Sequence, residues 1–200
     1  MKKLRVLVAC EESQVVCIAF RNKGHEAYSC DLLPTSGNHP EWHIQDDVRG
    51  LIQRQVFDLY ICHPVCTRLA NSGVRWLIER GLWDELDEAI EFFNFFIQLG
   101  KSGKRVCIEN PIQHKYARSK IEMYSQIIQP WQFGHAETKA TCLWLYNLPK
   151  LRPTNIVSGR EGRIWKMPPG PDRSKLRSKT FIGVAQAMAD QWSDLNYLNF

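Results

Sequence analysis

Two residues stand out for the chemistry they could carry, and each follows a short apolar run. In ICHPVCTRLANSG (61–73) a cysteine, Cys66, stands in a turn-rich stretch just beyond FDLYIC; in VCIENP (106–111) a carboxylate, Glu109, is followed by Asn110 and Pro111. A thiol and a carboxyl group at the ends of neighbouring strands would form a nucleophile and a proton-handling partner, the two parts that covalent catalysis needs. Taken alone, Cys66 reads more readily as a loop cysteine of no consequence. Pairing with Glu109 gives it weight. His63 reads as a turn residue rather than a base, though it lies close enough in sequence to influence the thiol.

The elements that must position these groups can be followed along the chain. LRVLVA (4–9) predicts a strand, the stretch from Val15 to Phe20 a helix stopped at Lys23-Gly24, and HEAYSCD (25–31) a second strand closed by an acid. WHIQDDV follows a Pro/Ser/Gly/Asn loop as a third strand, and FDLYIC (57–62) is a fourth. Trp83, Leu86, Ile90, Phe93 and Ile97 recur at helical spacing, with acids early in that helix where the dipole favours them, so Trp83 to Leu99 predicts an amphipathic helix. RVCIE (105–109) is the fifth strand. SKIEMYSQIIQ (119–129) reads as a helix, WQF and TCLWL as late strands, and Phe181 to Trp192 as a final helix. Strands alternating with helices predict a single α/β domain with a mostly parallel, doubly wound sheet.

In such a sheet, ligands bind beyond the carboxyl ends of the strands. Polar chemistry collects there: Cys10, Glu11 and Ser13 after strand one, Asp31 after strand two, Asp46 and Asp47 after strand three, His63 to Thr67 after strand four, Glu109 to Pro111 after strand five. The first turn, ACEESQVV, lacks the glycines that admit a diphosphate, which disfavours a dinucleotide. Asp31 suits a ribose diol. Asp31 and Asp47 also read as helix caps or solvated turn acids. Together these features point to a nucleoside-type cofactor such as S-adenosyl-L-methionine.

Composition narrows the class. The chain of 200 residues holds one ordinary core, and no run approaches the ~18 apolar residues of a membrane helix. The seven cysteines form no CxxC pair, which predicts reduced thiols, no metal site and a cytoplasmic protein. The net charge of +5 is concentrated: Lys150 to Lys179 carries nine basic residues against Glu161 and Asp172. Such a segment is either a phosphate-contacting loop or a solvated one.

The ordered set ACEESQVV, SCDLLP, IQDDV, HPVCTRLANSG, IENP, KATCLWL and RSKTFIGVAQAMADQW spans nearly the whole chain and resembles a small, phage-type branch of the cytosine carbon-5 DNA methyltransferases. The resemblance implies a Rossmann-like, class I S-adenosylmethionine-dependent methyltransferase fold. It also implies a thiolate that adds to carbon 6 of cytosine so that carbon 5 can take a methyl group. Cys66 would be the nucleophile, Glu109 the ring-binding acid, Asn110 and Pro111 the loop anchors, and Lys139 or Thr141 a support for the loop. Cys10, Glu11 and Ser13 would surround the methionine portion, with Asp31 on the ribose, Asp47 near the adenine amine, Pro64 also lining the cofactor, and Phe181 to Met188 closing the pocket. Arg68, Arg160, Arg163, Lys166, Arg173, Lys175 and Arg177 are the candidate nucleic-acid contacts, and a duplex target base would have to leave the stack.

Three departures bear on these expectations. Val65 stands where the family has proline, Gln14 stands where glycine is expected, and the stretch between TCLWL and the final helix is too short for a separate target-recognition domain. Two further classes therefore stay open: modification of a free pyrimidine nucleotide such as dCMP by the same covalent logic, and a non-catalytic cofactor- or nucleic-acid-binding module. HPVC supplies no aromatic residue to stack a base, which counts against methylation of an exocyclic amine.

Overall fold

The computed structural model describes residues 2–171 and 173–194; Asp172, one of the two acids of the basic segment, lies outside them. The strands β1 (Arg5–Ala9), β2 (Glu26–Asp31), β3 (His43–Gln45), β4 (Leu59–Cys62), β5 (Val106–Pro111), β6 (Gln126–Ile128) and β7 (Thr141–Tyr146) form one sheet in the order β3-β2-β1-β4-β5-β7-β6. β7 runs antiparallel to both its neighbours and the remaining pairs are parallel. After building outward from β1 to β3, the chain returns to lay β4 on the other side of β1. The strand order reverses there, and in open α/β sheets the carboxyl ends of the strands at such a reversal are where ligands bind.

Helices α1 (Val15–Asn22), α2 (Val48–Arg54), α3 (Val74–Arg80), α4 (Trp83–Lys101), α5 (Lys115–Arg118), α6 (Arg163–Lys166), α7 (Arg173–Ser178) and α8 (Ile182–Trp192) complete the chain. Side chains alternate across each strand, so the sheet has two apolar faces. Val6, Val8, Leu59 and Ile61 pack with Val16 and Phe20 of α1 and Met188 and Trp192 of α8. Leu7, Ala9, Tyr60 and Cys62 pack with Leu51 of α2 and with Phe93, Phe96 and Ile97 of α4. Each fully buried side chain of this size contributes about 1.5–3 kcal/mol. The α/β class and the two-sided winding are as the sequence predicts. No helix among the described residues is long and apolar enough to cross a membrane.

Late in the chain the structure corrects the sequence. The helix predicted over 119–129 is absent: residues 119–125 are irregular, and Gln126–Ile128 is the edge strand β6. The Ser125 N–H donates to the Leu143 carbonyl at 2.8 Å, and the Gln126 side chain bonds both polar groups of the Leu151 backbone. The unpaired edge of β7 thus captures a segment whose local pattern is helical. WQF is not a strand either. Pro130, which has no N–H, opens a 3-10 turn over Pro130–Gln132, and the Gln129 and Gln132 side chains close it. The antiparallel partners of β7 are instead β5 and β6. Helix α3 has no counterpart in the prediction, and the basic segment contains two short helices, α6 and α7.

Candidate active site

Register brings the chemistry together. Ile61 pairs with Cys107 and Cys62 with Ile108, so His63 and Pro64 leave β4 beside Glu109 and Asn110. By strand alternation His63 and Glu109 lie on one face. Because β7 is antiparallel, it starts at the edge where β5 ends, with Thr141 opposite Pro111. That places Lys139 at the same edge.

The loop carrying Cys66 is held at several points. The Asn110 Nδ2 donates to the Pro64 carbonyl at 2.8 Å, and the Cys66 carbonyl accepts from the Leu69 and Ala70 amides at 3.0 and 2.9 Å. The His114 N–H donates to the Leu69 carbonyl at 3.0 Å, and its imidazole Nε2 to the Arg68 carbonyl at 2.7 Å. A Cβ at Gly73 would run into the Thr67 carbonyl oxygen, so only glycine lets the loop close on itself. Val65 at the tip is 61% exposed, beside a half-buried thiol. Burial pushes that thiol up; the charges of Lys139 and Arg177 pull it down.

Beneath the thiol lies a buried ionic cluster. His63 Nδ1 is 3.1 Å from Glu109 Oε2, and Thr180 Oγ1 donates to the same oxygen at 3.2 Å. Burial alone would raise Glu109, but His63, Lys139 and Thr180 outweigh it and hold the carboxyl at about 2. Burial alone would lower His63, and the bond and charge of Glu109, helped by Glu11, hold it above its ordinary range. Each partner therefore favours the charged form of the other. Glu109, Lys139, Thr141, Thr180 and Phe181 line a small cavity over it. Lys139 is fixed by its own N–H on the Gln129 side chain at 3.0 Å and by Nζ on the Lys179 carbonyl at 3.3 Å.

The other half of the edge is organised differently. Glu11 is buried, and its carboxylate accepts from Val16 and Cys17 at the start of α1 at 2.7 and 3.1 Å. Burial raises it, partly offset by His63. Gln14 adopts φ 60, the left-handed conformation a glycine would favour. Its side chain repairs the substitution: it donates to the His39 carbonyl at 2.8 Å and to Ser29 Oγ at 3.3 Å, and accepts from His39 N–H at 3.2 Å. Cys10, also left-handed at φ 59, is driven up by burial and by the charges of Asp31 and Asp47. Asp31 accepts from Leu33 N–H at 3.0 Å and stays half-buried. Asp47 caps α2 and pairs with Arg49 at 2.9 Å. Ser13 lies half-buried in the bend before α1.

The basic residues divide into two groups. Arg68 is tied to Glu85 at 2.7 Å, Arg163 to Glu137 at 2.7 Å, and Arg173 to the Met167 carbonyl at 2.8 Å. Arg160 lies 3.8 Å over the Trp131 ring and Lys166 5.2 Å from Trp165. Lys175 reaches Glu12 at 3.7 Å, and Arg177 bears on Cys66. Helix α7 and the residues after it thus lie over the carboxyl edge.

The chain matches no family model and no curated protein. Sequence reasoning read His63 as a turn residue and did not foresee its pairing with Glu109, and it missed Thr180 and the inward turn of Glu11. For His63 the signal was present in the alternation Leu59, Ile61, His63, but alternation says nothing until the register with β5 is known.

Proposed function

We propose that this chain transfers a methyl group from S-adenosyl-L-methionine to carbon 5 of cytosine in DNA through a covalent adduct of Cys66. The observation that carries the reading is the convergence of a tethered thiol, a buried carboxylate and Lys139 at the reversal point of the sheet. The thiol is the nucleophile, and the nearby Lys139 and Arg177 charges reduce the cost of ionising it. Glu109 holds the ring near N3 and the exocyclic amine, where charge changes as the thiolate adds. Asn110 keeps the Cys66 loop against β5.

The cofactor residues fit a nucleoside without a diphosphate. The first amides of α1, where a diphosphate would bind, are taken by Glu11, and the Gln14 side chain fills the turn. Asp31 would hold the ribose hydroxyls and Cys10 the neighbouring wall, and Phe181 lines the adjacent cavity. When bound, the cofactor supplies an electrophilic methyl group. Arg177 and Lys175 would hold the target phosphate at the same edge.

The test is transfer of tritiated methyl groups to duplex DNA, single-stranded DNA and dCMP in parallel. Label on either DNA supports the reading; label on dCMP alone moves the substrate to a free nucleotide, and no label with cofactor bound leaves a binding module. A 5-fluorocytosine substrate is expected to trap an adduct with the wild type and none with Cys66→Ser. DNA affinity is expected to fall steeply with salt if Lys175 and Arg177 contact phosphate.

A further inference from the structure

Resting on the methyl-transfer reading, we infer that His63 is a positioning residue that stores the proton Glu109 delivers to the pyrimidine ring. Three observations carry it. His63 sits between two buried carboxylates, bonded to Glu109 at 3.1 Å and within the field of Glu11. Its second ring nitrogen, Nε2, is buried with no hydrogen-bond partner, so no other hydrogen bond among the described residues competes for the ring. Glu109 lines the small cavity with Lys139 and Thr180, and its neighbours favour its charged form, so a proton it passes on has to come from a group beside it.

The reaction needs a proton at that position. When the Cys66 thiolate adds to ring carbon 6, a C–S bond forms, the carbon 5–carbon 6 π pair shifts to lie between carbons 5 and 4, and the carbon 4–N3 π pair moves onto N3. Ring N3 then takes a proton. Glu109 can pass one on when a neighbour supplies it, and His63 Nδ1, 3.1 Å from Glu109 Oε2, is within reach to do so. The imidazolium becomes neutral imidazole as the thiolate becomes a thioether, so the local charge balances. As carbon 5 takes the methyl group that the cofactor supplies, the carbon 4–N3 double bond reforms and the N3 proton returns through Glu109 to His63; a base then removes the carbon 5 proton, and that electron pair rebuilds the carbon 5–carbon 6 double bond as the C–S bond breaks and Cys66 leaves as thiolate. The groups facing His63 fit this role from every side: Glu11 from the loop after β1 and Glu109 from β5 favour the protonated ring, and Lys139 before β7 opposes it. Thr180, bonded to the same Glu109 oxygen, keeps that carboxylate oriented while the proton moves.

Two measurements test this. Nitrogen-15 NMR of the imidazole in the free protein is expected to find His63 doubly protonated at neutral pH, with its titration moved to lower pH in Glu109→Gln; a neutral His63 in the wild type overturns the relay without any reference to turnover. In methyl transfer, His63→Asn, which keeps a side-chain donor but carries no titrating proton, is expected to lose about 10²-fold in kcat. KM is expected to hold, and the fall of kcat at high pH to disappear. Equal losses in kcat and KM with an unchanged pH profile would mean a merely structural His63. A wild-type chain that labels no substrate while the NMR result holds refutes the transferase reading. A wild type that labels DNA no faster than His63→Asn refutes the relay alone.

Discussion

The two halves of the sheet's carboxyl edge hold their acids in opposite ways. Beyond β4, β5 and β7, Glu109 is buried and bound to groups distant in sequence: His63, Thr180 and the charge of Lys139. Beyond β2 and β3, Asp31 and Asp47 are half-exposed and satisfied locally, by Leu33 N–H and by the Arg49 backbone and guanidinium. A buried, non-locally held acid has its proton affinity set by the fold and suits proton chemistry. A half-exposed acid keeps free lone pairs and suits the reading of hydroxyl groups. Glu11 marks the border, buried like the first group but capping a helix like the second.

The contrast is most sharply broken at Glu109. Glu109→Gln is expected to cut methyl transfer by about 10²- to 10⁴-fold with cofactor affinity, read by calorimetry, little changed. A comparable loss of cofactor binding would show that the halves do not act separately. Asn110→Ala, which orphans the buried Pro64 carbonyl, is expected to cost about 1–3 kcal/mol in urea unfolding and to slow transfer. Unchanged stability would mean the Cys66 loop does not depend on that tether.

The pH dependence of stability sharpens the same comparison. Glu109, lowered from 4.5 to about 2, stabilises the fold above pH 4.5, and that contribution is lost as pH falls toward 2. His63, raised above 6.5, stabilises the fold below pH 6.5, and its contribution is lost as pH rises through the folded value. Their joint contribution is therefore greatest between 4.5 and 6.5. Urea midpoints across pH are expected to show this maximum in the wild type and a flatter profile in Glu109→Gln.

The other half is tested at Asp47 and Asp31. Asp47→Asn keeps a good helix cap, so stability is expected to change by only a few tenths of a kcal/mol. Asp31→Asn is expected to weaken cofactor binding by about 1.5–3 kcal/mol, more than Asp47→Asn, whose carboxylate is already engaged by Arg49. The reverse order would make Asp47 the cofactor residue.

Much of this was legible in the sequence where the deciding forces are local. The apolar runs of β1, β4 and β5, the helical spacing of α4 and the glycine after α1 all predict their elements, because alternation and periodicity are properties of adjacent residues. Cys66, Glu109 and Asp31 were visible because each lies at or soon after the end of an apolar run, although β5 extends to Pro111 and so takes in Glu109, which the sequence placed after the strand. The helix expected over 119–129 failed for the complementary reason: its pattern was satisfied locally, but the free edge of β7 offered backbone partners that no local pattern contains. Gln14 failed in the other direction, reading as a departure from glycine until His39 and Ser29 were found to hold its side chain.

By itself the sequence determined the α/β alternation, the core-facing runs and the gathering of polar residues at the carboxyl ends of the strands. Only the tertiary structure decided that His63 meets Glu109, that Lys139 and Arg177 act on Cys66, and that Glu11 turns inward to α1. Those meetings depend on strand order, register and the antiparallel entry of β7. These are set by how separate segments share one core and one set of hydrogen bonds, so no single segment encodes them.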